Sequence, residues 1–289
     1  MDSKPSFLLG LIGYGIQGSL TPAMHEREGA EQGLLLIYKR IDLQVLNLGV
    51  EALPELLSAA ERMGFAGLNI TFPCKQAIIP LLSDLSDNAR ALGAVNTVVL
   101  RDGRREGHNT DLFGYAENFR RGLPDVKRDR VVQLGAGGAG SAVAEALMQL
   151  GVGRLTIFDT EASRAEHVAS DLTSRYGPGR AEAGADLAGA LAEADGLVNT
   201  TPVGMTKLPG MPLPPELLRP ELWVSEIIYF PLETELLRRA RAVGCRTLDG
   251  GGMAVFQAVR AFQLFTGREP DPDRILGHFK ELQASASSE

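Results

Sequence analysis

The chain has only two cysteines, Cys74 and Cys245, far apart in sequence. Such a pair supports neither a disulfide framework nor a CxxC metal site, so no metal is expected and a reduced, cytoplasmic compartment is. Lysine and arginine form no run, and the formal net charge is −7. A nucleic-acid or anionic-membrane partner would need a clustered basic face, so neither is expected. No apolar stretch reaches the roughly 18 to 20 residues of a membrane span, and the opening M-D-S-K-P-S-F lacks the apolar core of a secretory signal, so neither insertion nor export is expected. No internal repeat is apparent. What remains is 289 residues, 44% hydrophobic and 22% charged, a globular composition long enough for two ordinary domains and suited to a small-molecule enzyme.

Residues 131–140 read V-V-Q-L-G-A-G-G-A-G, an apolar strand pattern turning abruptly into glycine. The spacing G-x-G-x-x-G at Gly135, Gly137 and Gly140 suits a dinucleotide: the first glycine turns tightly, the second admits a pyrophosphate against bare backbone, and the third packs a helix on its strand. The motif alone is weak, because a glycine turn without a ligand has the same spacing. Its context strengthens it. S-A-V-A-E-A-L-M-Q-L (141–150) reads as helix, and R-L-T-I-F-D (154–159) reads as a second strand ending in an acid. A carboxylate at Asp159 can accept hydrogen bonds from both adenosine ribose hydroxyls and would repel a 2′-phosphate, so the expected cofactor is NAD. Glu161 adds a second negative charge, whereas Arg164 in the following helix is the residue able to turn toward a phosphate.

Along the first hundred residues, strand patterns at 7–13, 35–41, 66–71 and 96–100 alternate with helices from Pro22 and Val50, the latter carrying Leu56, Leu57, Ala60 and Met63 at helical spacing. Pro80 limits the next helix. This reads as a small α/β domain. A helix around 111–119 leads to the polar, proline-bearing 123–129, which suits a domain junction. Further strands are expected at 195–202, ending in a Thr-Thr-Pro turn, and at 222–231. Residues 250–265 form an amphipathic helix through Val255, Val259, Phe262 and Phe265, expected to pack back on the first domain and close a cleft. The fold class is therefore two-domain α/β: a substrate domain at 1–112 completed by C-terminal helices at 251–289, and a Rossmann-type doubly wound dinucleotide domain at 123–250. The 285–289 tail is expected to be disordered.

Hydride chemistry on an alcohol needs a group to manage the hydroxyl proton. Lys75 follows N-I-T-F-P-C, where Pro73 interrupts the strand, and Asp111 closes Asn109-Thr110-Asp111. A lysine can relay the proton of a substrate hydroxyl while a carboxylate orients the pair. On the residues alone, Lys75 reads more readily as a solvated surface lysine and Asp111 most economically as a helix N-cap.

Seven segments in order, S-L-T-P-A-M-H (19–25), G-L-N-I-T-F-P-C-K (67–75), G-A-V-N-T-V-V (93–99), G-H-N-T-D (107–111), G-A-G-G-A (135–139), N-T-T-P-V-G-M (199–205) and G-M-A-V-F-Q-A-V-R-A-F (252–262), resemble the shikimate dehydrogenase family over almost the whole chain. The resemblance implies that Lys75 and Asp111 are the catalytic pair. It places Ser19 and Thr21 at a substrate carboxylate, Asn69, Thr71, Asn96 and Gln257 at ring hydroxyls, and Tyr229 beside the carboxylate. It implies a cofactor site formed by Gly135, Ala136, Gly137, Gly138, Ala139, Asp159, Thr200, Thr201, Pro202 and Val203, with the nicotinamide near Ile228 and Gly252. His25 and His108 fall inside matching motifs and read as structural. Many family members carry His-Ser-x-Ser near the start and Asn-Arg-Thr after the second nucleotide strand; this chain has Gly18-Ser19-Leu20-Thr21 and Asp159-Thr160-Glu161. It therefore resembles most the NAD-using quinate/shikimate branch. An aminoshikimate branch is an alternative, as is a non-catalytic NAD-binding regulator, which should lack Lys75 or Asp111. A methylenetetrahydrofolate-dehydrogenase-like build is disfavoured by the T-F-P-C-K context. The exposed edge of the first sheet suggests a homodimer.

Overall fold

The computed structural model describes residues 4–286. The chain divides into two compact units, Met1–Thr110 with Val255–Glu289, and Asp111–Ala254. The helix 111–122, read from the sequence as the connection, groups with the second unit.

The first unit is built on a six-stranded mixed sheet: β1 (Ser6–Gly13), β2 (Leu35–Asp42), β3 (Phe65–Ile70), β4 (Asp84–Leu85), β5 (Thr97–Arg101) and β6 (Arg104–His108), in the order β2-β1-β3-β5-β6-β4. β1 runs parallel to β2 and β3, while β5 is antiparallel to β3 and β6. The period of two along β1 sends its side chains to opposite faces. Leu9 and Leu11 pack with Leu36, Tyr38, Phe262 and Phe265, and Ile12 packs with Leu53, Leu57, Leu68 and Val98. Phe262 and Phe265 come from the helix Gly251–Thr266, so the C-terminal helices complete the first unit's core. The last helix, Pro272–Ala286, is fastened to Thr21–Glu31 by Arg274, whose guanidinium meets the buried Glu28 at 2.6 Å.

Two local differences from the sequence reading have clear causes. The helix expected from Val50 begins as a 3-10 turn, Val50–Ala52, and becomes α-helical at Leu53–Arg62, with Pro54 in the first turn where its missing N–H costs nothing. β5 and β6 form an unanticipated hairpin whose two turn residues, Asp102 and Gly103, have φ of 52° and 72°. Asp-Gly is the dipeptide that such a turn favours.

The second unit carries a six-stranded sheet in which every pairing is parallel: β7 (Arg130–Leu134), β8 (Arg154–Phe158), β9 (Ala181–Ala183), β10 (Gly196–Asn199), β11 (Trp223–Glu226) and β12 (Arg246–Leu248), in the order β12-β11-β10-β7-β8-β9. This is the doubly wound arrangement. The winding reverses between β7 and β10, and such folds bind ligands at the carboxyl ends of the strands flanking that reversal. The strand expected at 222–231 stops at Glu226, whose own carboxylate accepts the amides of Ile227 at 2.9 Å and Ile228 at 3.1 Å and turns the chain out of the ladder. The disorder expected at the C-terminus falls partly on residues 287–289, which lie outside the described residues; Ser285 and Ala286 still belong to the last helix. Among the described residues, no helix is long and apolar enough to cross a membrane.

Candidate active site

In the second unit the glycine loop sits at the winding reversal, between β7 and the helix Gly138–Gln149. Gly135 has φ +97°, a conformation that side chains rarely adopt, and a methyl placed on it would lie 2.7 Å from Thr200 Oγ1. A methyl on Gly140 would lie 2.6 Å from the Gly135 carbonyl. These two glycines let helix, turn and the end of β10 pack against one another. Gly137 and Gly138 differ: both are exposed, and added methyls would meet nothing within 4 Å. Gly137 caps the helix with no side-chain hydrogen bond, so no cap side chain covers the first-turn amides at the positive end of the helix dipole. Bare amides, free space and a positive dipole fit a pyrophosphate.

The loop is braced from below. Gln133, fully buried in β7, donates Nε2 to the carbonyls of Gly135 at 2.8 Å and Gly140 at 2.9 Å. Thr200 Oγ1 donates to the carbonyls of Leu134 and Gly135 at 2.8 and 2.9 Å. Asp159, at the tip of β8, accepts the Ala136 amide at 2.7 Å and the Glu161 amide at 2.9 Å, so the predicted ribose ligand also holds the loop. Arg164 pairs with Glu161 at 2.8 Å. After β10, Thr201 N and Oγ1 both donate to Asn199 Oδ1, at 3.0 and 2.7 Å, which sets the Thr-Thr-Pro-Val turn. Gly252 is buried, and a methyl there would collide with the Asn118 amide, itself tied to the Asp249 carbonyl at 2.9 Å.

Asp111 is buried at the start of the helix Asp111–Gly122. Tyr229 exposes 39% of its surface, yet desolvation, and after it the negative charge of Asp111, pushes its hydroxyl above the ordinary tyrosine pKa. Both belong to the second unit.

The first unit gathers several predicted substrate residues into one buried network. Asn69 on β3 stands opposite Thr97 on β5 and donates Nδ2 to Thr97 Oγ1 at 3.0 Å and to the Asn96 carbonyl at 3.2 Å; its Oδ1 accepts the Tyr38 hydroxyl at 2.6 Å. Asn96 accepts the Thr110 amide at 2.8 Å and donates to Thr110 Oγ1 at 3.0 Å, and Thr110 reaches Gln257 Oε1 at 3.5 Å. Asn69, Asn96 and Gln257 are thus brought together. Thr71 and Lys75 lie just beyond β3, where Thr71 N bonds the Ile12 carbonyl and Lys75 is half-buried in the short helix Cys74–Ala77 behind Pro73. The Lys75 carbonyl accepts Val95 N at 2.9 Å, joining its turn to the segment bearing Asn96. Ser19 and Thr21 form a separate half-buried group at the N-terminus of Thr21–Glu31, where Ser19 Oγ accepts Thr21 N at 3.4 Å and Arg40 holds the Ser19 carbonyl at 2.8 Å.

His25 is core. Its ring lies among Tyr38, Phe262 and Phe265, and its Nδ1 meets the Thr21 carbonyl at 2.9 Å. Burial drives its pKa down to about 4, so it is neutral near pH 7. His108, half-buried, is also lowered, first by desolvation. Sequence reasoning missed Gln133, Tyr38, Thr110 and Glu226. Gln133 and Glu226 carried a signal, each a polar residue set beside apolar ones in a short buried strand; Tyr38 and Thr110 carried none.

A doubly wound parallel sheet with an open glycine loop, in one chain with a mixed α/β unit bearing a buried network of amides and hydroxyls, defines the class of two-unit α/β proteins with a dinucleotide-type fold. Models described as the shikimate dehydrogenase substrate binding domain and the shikimate 5′-dehydrogenase C-terminal domain match residues 11–98 and 250–276. The chain is 57% identical over 287 residues to the shikimate dehydrogenase (NADP(+)) of Streptomyces avermitilis, covering 99% of each. It is 50% identical over 281 residues to the quinate/shikimate dehydrogenase (NAD(+)) of Corynebacterium efficiens, covering 96% of this chain and 99% of that one. A solved quinate dehydrogenase from Corynebacterium glutamicum in complex with NAD matches with a TM-score of 0.91 at 47% identity, over 96% of this chain and 100% of that one. The chain belongs to the shikimate dehydrogenase family.

Proposed function

We propose that this protein catalyses the reversible, NAD-dependent oxidation of shikimate, quinate or both to the 3-dehydro ketone. The observation that carries this reading is the network around Asn69 and Asn96: neutral amides and hydroxyls holding one another in register suit a ligand that presents several hydroxyls. A site that pairs each hydroxyl discriminates strongly against analogues lacking one. In this reading Asn69, Thr71, Asn96 and Gln257 meet ring hydroxyls, and Ser19, Thr21 and Tyr229 meet the carboxylate. Lys75 takes the proton of the reacting hydroxyl and returns it in the reverse direction, and Asp111, which directly follows Thr110 in the chain, orients the transfer.

The bound nicotinamide supplies the hydride acceptor. The amides around Gly137 and Gly138 receive the pyrophosphate, and Thr200 to Val203, Ile228 and Gly252 frame the nicotinamide end. The relatives' names divide between NADP and NAD. Asp159 and Glu161 support NAD here, because two carboxylates repel a 2′-phosphate, and Arg164 is engaged with Glu161 at 2.8 Å. On β2, an edge strand whose Leu35 and Ile37 are each 58% exposed, the surface supports a homodimer through that edge; sedimentation showing a monomer at micromolar concentration excludes it.

The test of the activity is a panel of shikimate, quinate and aminoshikimate, each with NAD⁺ and NADP⁺, followed by absorbance of the reduced cofactor. Turnover of shikimate or quinate with NAD⁺ is expected. Preference for NADP⁺ overturns the cofactor reading, and turnover of aminoshikimate alone overturns the substrate reading.

A further inference from the structure

Glu226 ends β11 with a carboxyl that is 1% exposed, yet nothing in the proposed reaction uses it. It sits directly beside Asn199, the last residue of β10. Its Oε1 accepts the amides of Ile227 and Ile228, at 2.9 and 3.1 Å. Asn199 Nδ2 donates to both of its oxygens, at 3.1 and 3.0 Å, and Thr234 Oγ1 donates to Oε2 at 3.2 Å. The chain of bonds continues outward from Asn199. The same Nδ2 reaches the Val203 carbonyl at 3.2 Å, Asn199 Oδ1 receives Thr201 N and Oγ1, and Thr201 Oγ1 accepts Val203 N at 3.2 Å. One carboxyl therefore holds two segments, 199–203 and 227–228, that leave the carboxyl ends of adjacent parallel strands.

We propose that Glu226 is the positioning residue that sets these two loops in register and thereby shapes the nicotinamide end of the cofactor site. The inference rests on the NAD reading of Thr200 to Val203 and Ile228. A buried carboxyl is costly unless its hydrogen bonds are made, and here each oxygen has at least two donors. Burial pushes the carboxyl up to about 7 in spite of those bonds, which fits a group kept out of water. A glutamine at this place keeps Oε1 as acceptor for Ile227, Ile228 and one of the two Asn199 bonds, but in place of Oε2 it turns an N–H toward the N–H of Asn199, so that bond is lost and the amide that orients Thr201 and Val203 shifts. An aspartate keeps both acceptors on a shorter arm.

The experiment compares wild type with Glu226→Gln and Glu226→Asp by NAD⁺ titration calorimetry, thermal unfolding without cofactor, and the KM of the polyol at saturating NAD⁺. The expected result is an NAD⁺ affinity weakened about tenfold or more in Glu226→Gln, a smaller loss in Glu226→Asp, and a polyol KM within about twofold of wild type in both. A folded Glu226→Gln that binds NAD⁺ as wild type does, or losses equal for NAD⁺ and polyol, overturns the assignment. If Glu226→Gln does not fold, Glu226→Asp decides by the same split. Wild type that binds no NAD⁺ in the same titration overturns the nucleotide reading itself, a failure distinct from that of Glu226.

Discussion

The two sheets offer different materials for binding. In the parallel sheet the groups left uncovered by a cap side chain are backbone amides around Gly137 and Gly138, where the absence of side chains is the essential property. The unit built on the mixed sheet instead carries side chains, Asn69, Asn96 and Thr110 withdrawn from water and Gln257 half-buried, bonded to one another. A backbone site depends on local spacing and tolerates variation around it. A side-chain network depends on partners brought together from separate segments, so it is sensitive to each member.

The largest effect expected from breaking one half lies at Lys75. Lys75→Ala should lower turnover by about 10²- to 10⁴-fold while NAD⁺ affinity stays near wild type, because a positioned proton-transfer group contributes on that order. Near-wild-type steady-state rates would remove Lys75 from the chemistry.

Acid should separate the two units. His25 has its folded pKa lowered by burial from 6.5 to about 4, so its unfolded form takes up a proton first as pH falls. The first unit then loses up to roughly 3 kcal/mol between about pH 6.5 and 4. Glu226 has the opposite sign. Its folded pKa is raised to about 7, so protonation as pH falls through 7 relieves a penalty, and the second unit gains. Hydrogen exchange of amides in β1 and β10 across this range reads the divergence; parallel losses in both would show that neither group governs its unit.

Next comes the glycine loop. Gly140→Ala should weaken NAD⁺ by about tenfold to a hundredfold, since its methyl must displace the Gly135 carbonyl or Thr200 at a strain of about 1–3 kcal/mol. Polyol KM at saturating NAD⁺ should be unchanged. Calorimetry showing wild-type affinity would mean that the close packing of helix and turn does not shape the site.

The smallest effect is expected at Asp159. Asp159→Asn should lower the NAD⁺ over NADP⁺ preference by about tenfold in kcat/KM, since one charge is removed while a hydrogen-bond acceptor remains. An unchanged ratio would move cofactor discrimination from Asp159 to Glu161.

Legibility followed the same division. The glycine spacing was readable because the reasons for glycine are local: the φ of Gly135 and the clearance at Gly140 arise within a turn and its flanking elements. Strands alternating with helical patterns marked both units as α/β. The strand read to 231 was overextended because nothing local announces that the Glu226 carboxylate will capture Ile227 and Ile228. The Asp102-Gly103 hairpin was legible and overlooked. Asn69 and Asn96 were singled out only through a family resemblance, since an asparagine near a strand end looks the same whether it caps that end or joins a network.

By itself, then, the sequence determined the period of the strands, the open glycine turn and the acid at the tip of β8, all properties of short-range backbone geometry and side-chain alternation. Tertiary structure alone decided the strand order β12-β11-β10-β7-β8-β9, the Tyr38 bond that orients Asn69, the enclosure of His25 and the use of Glu226 to tie two loops together. Each of these joins elements distant in sequence, and no local pattern encodes which partner a buried polar group will find.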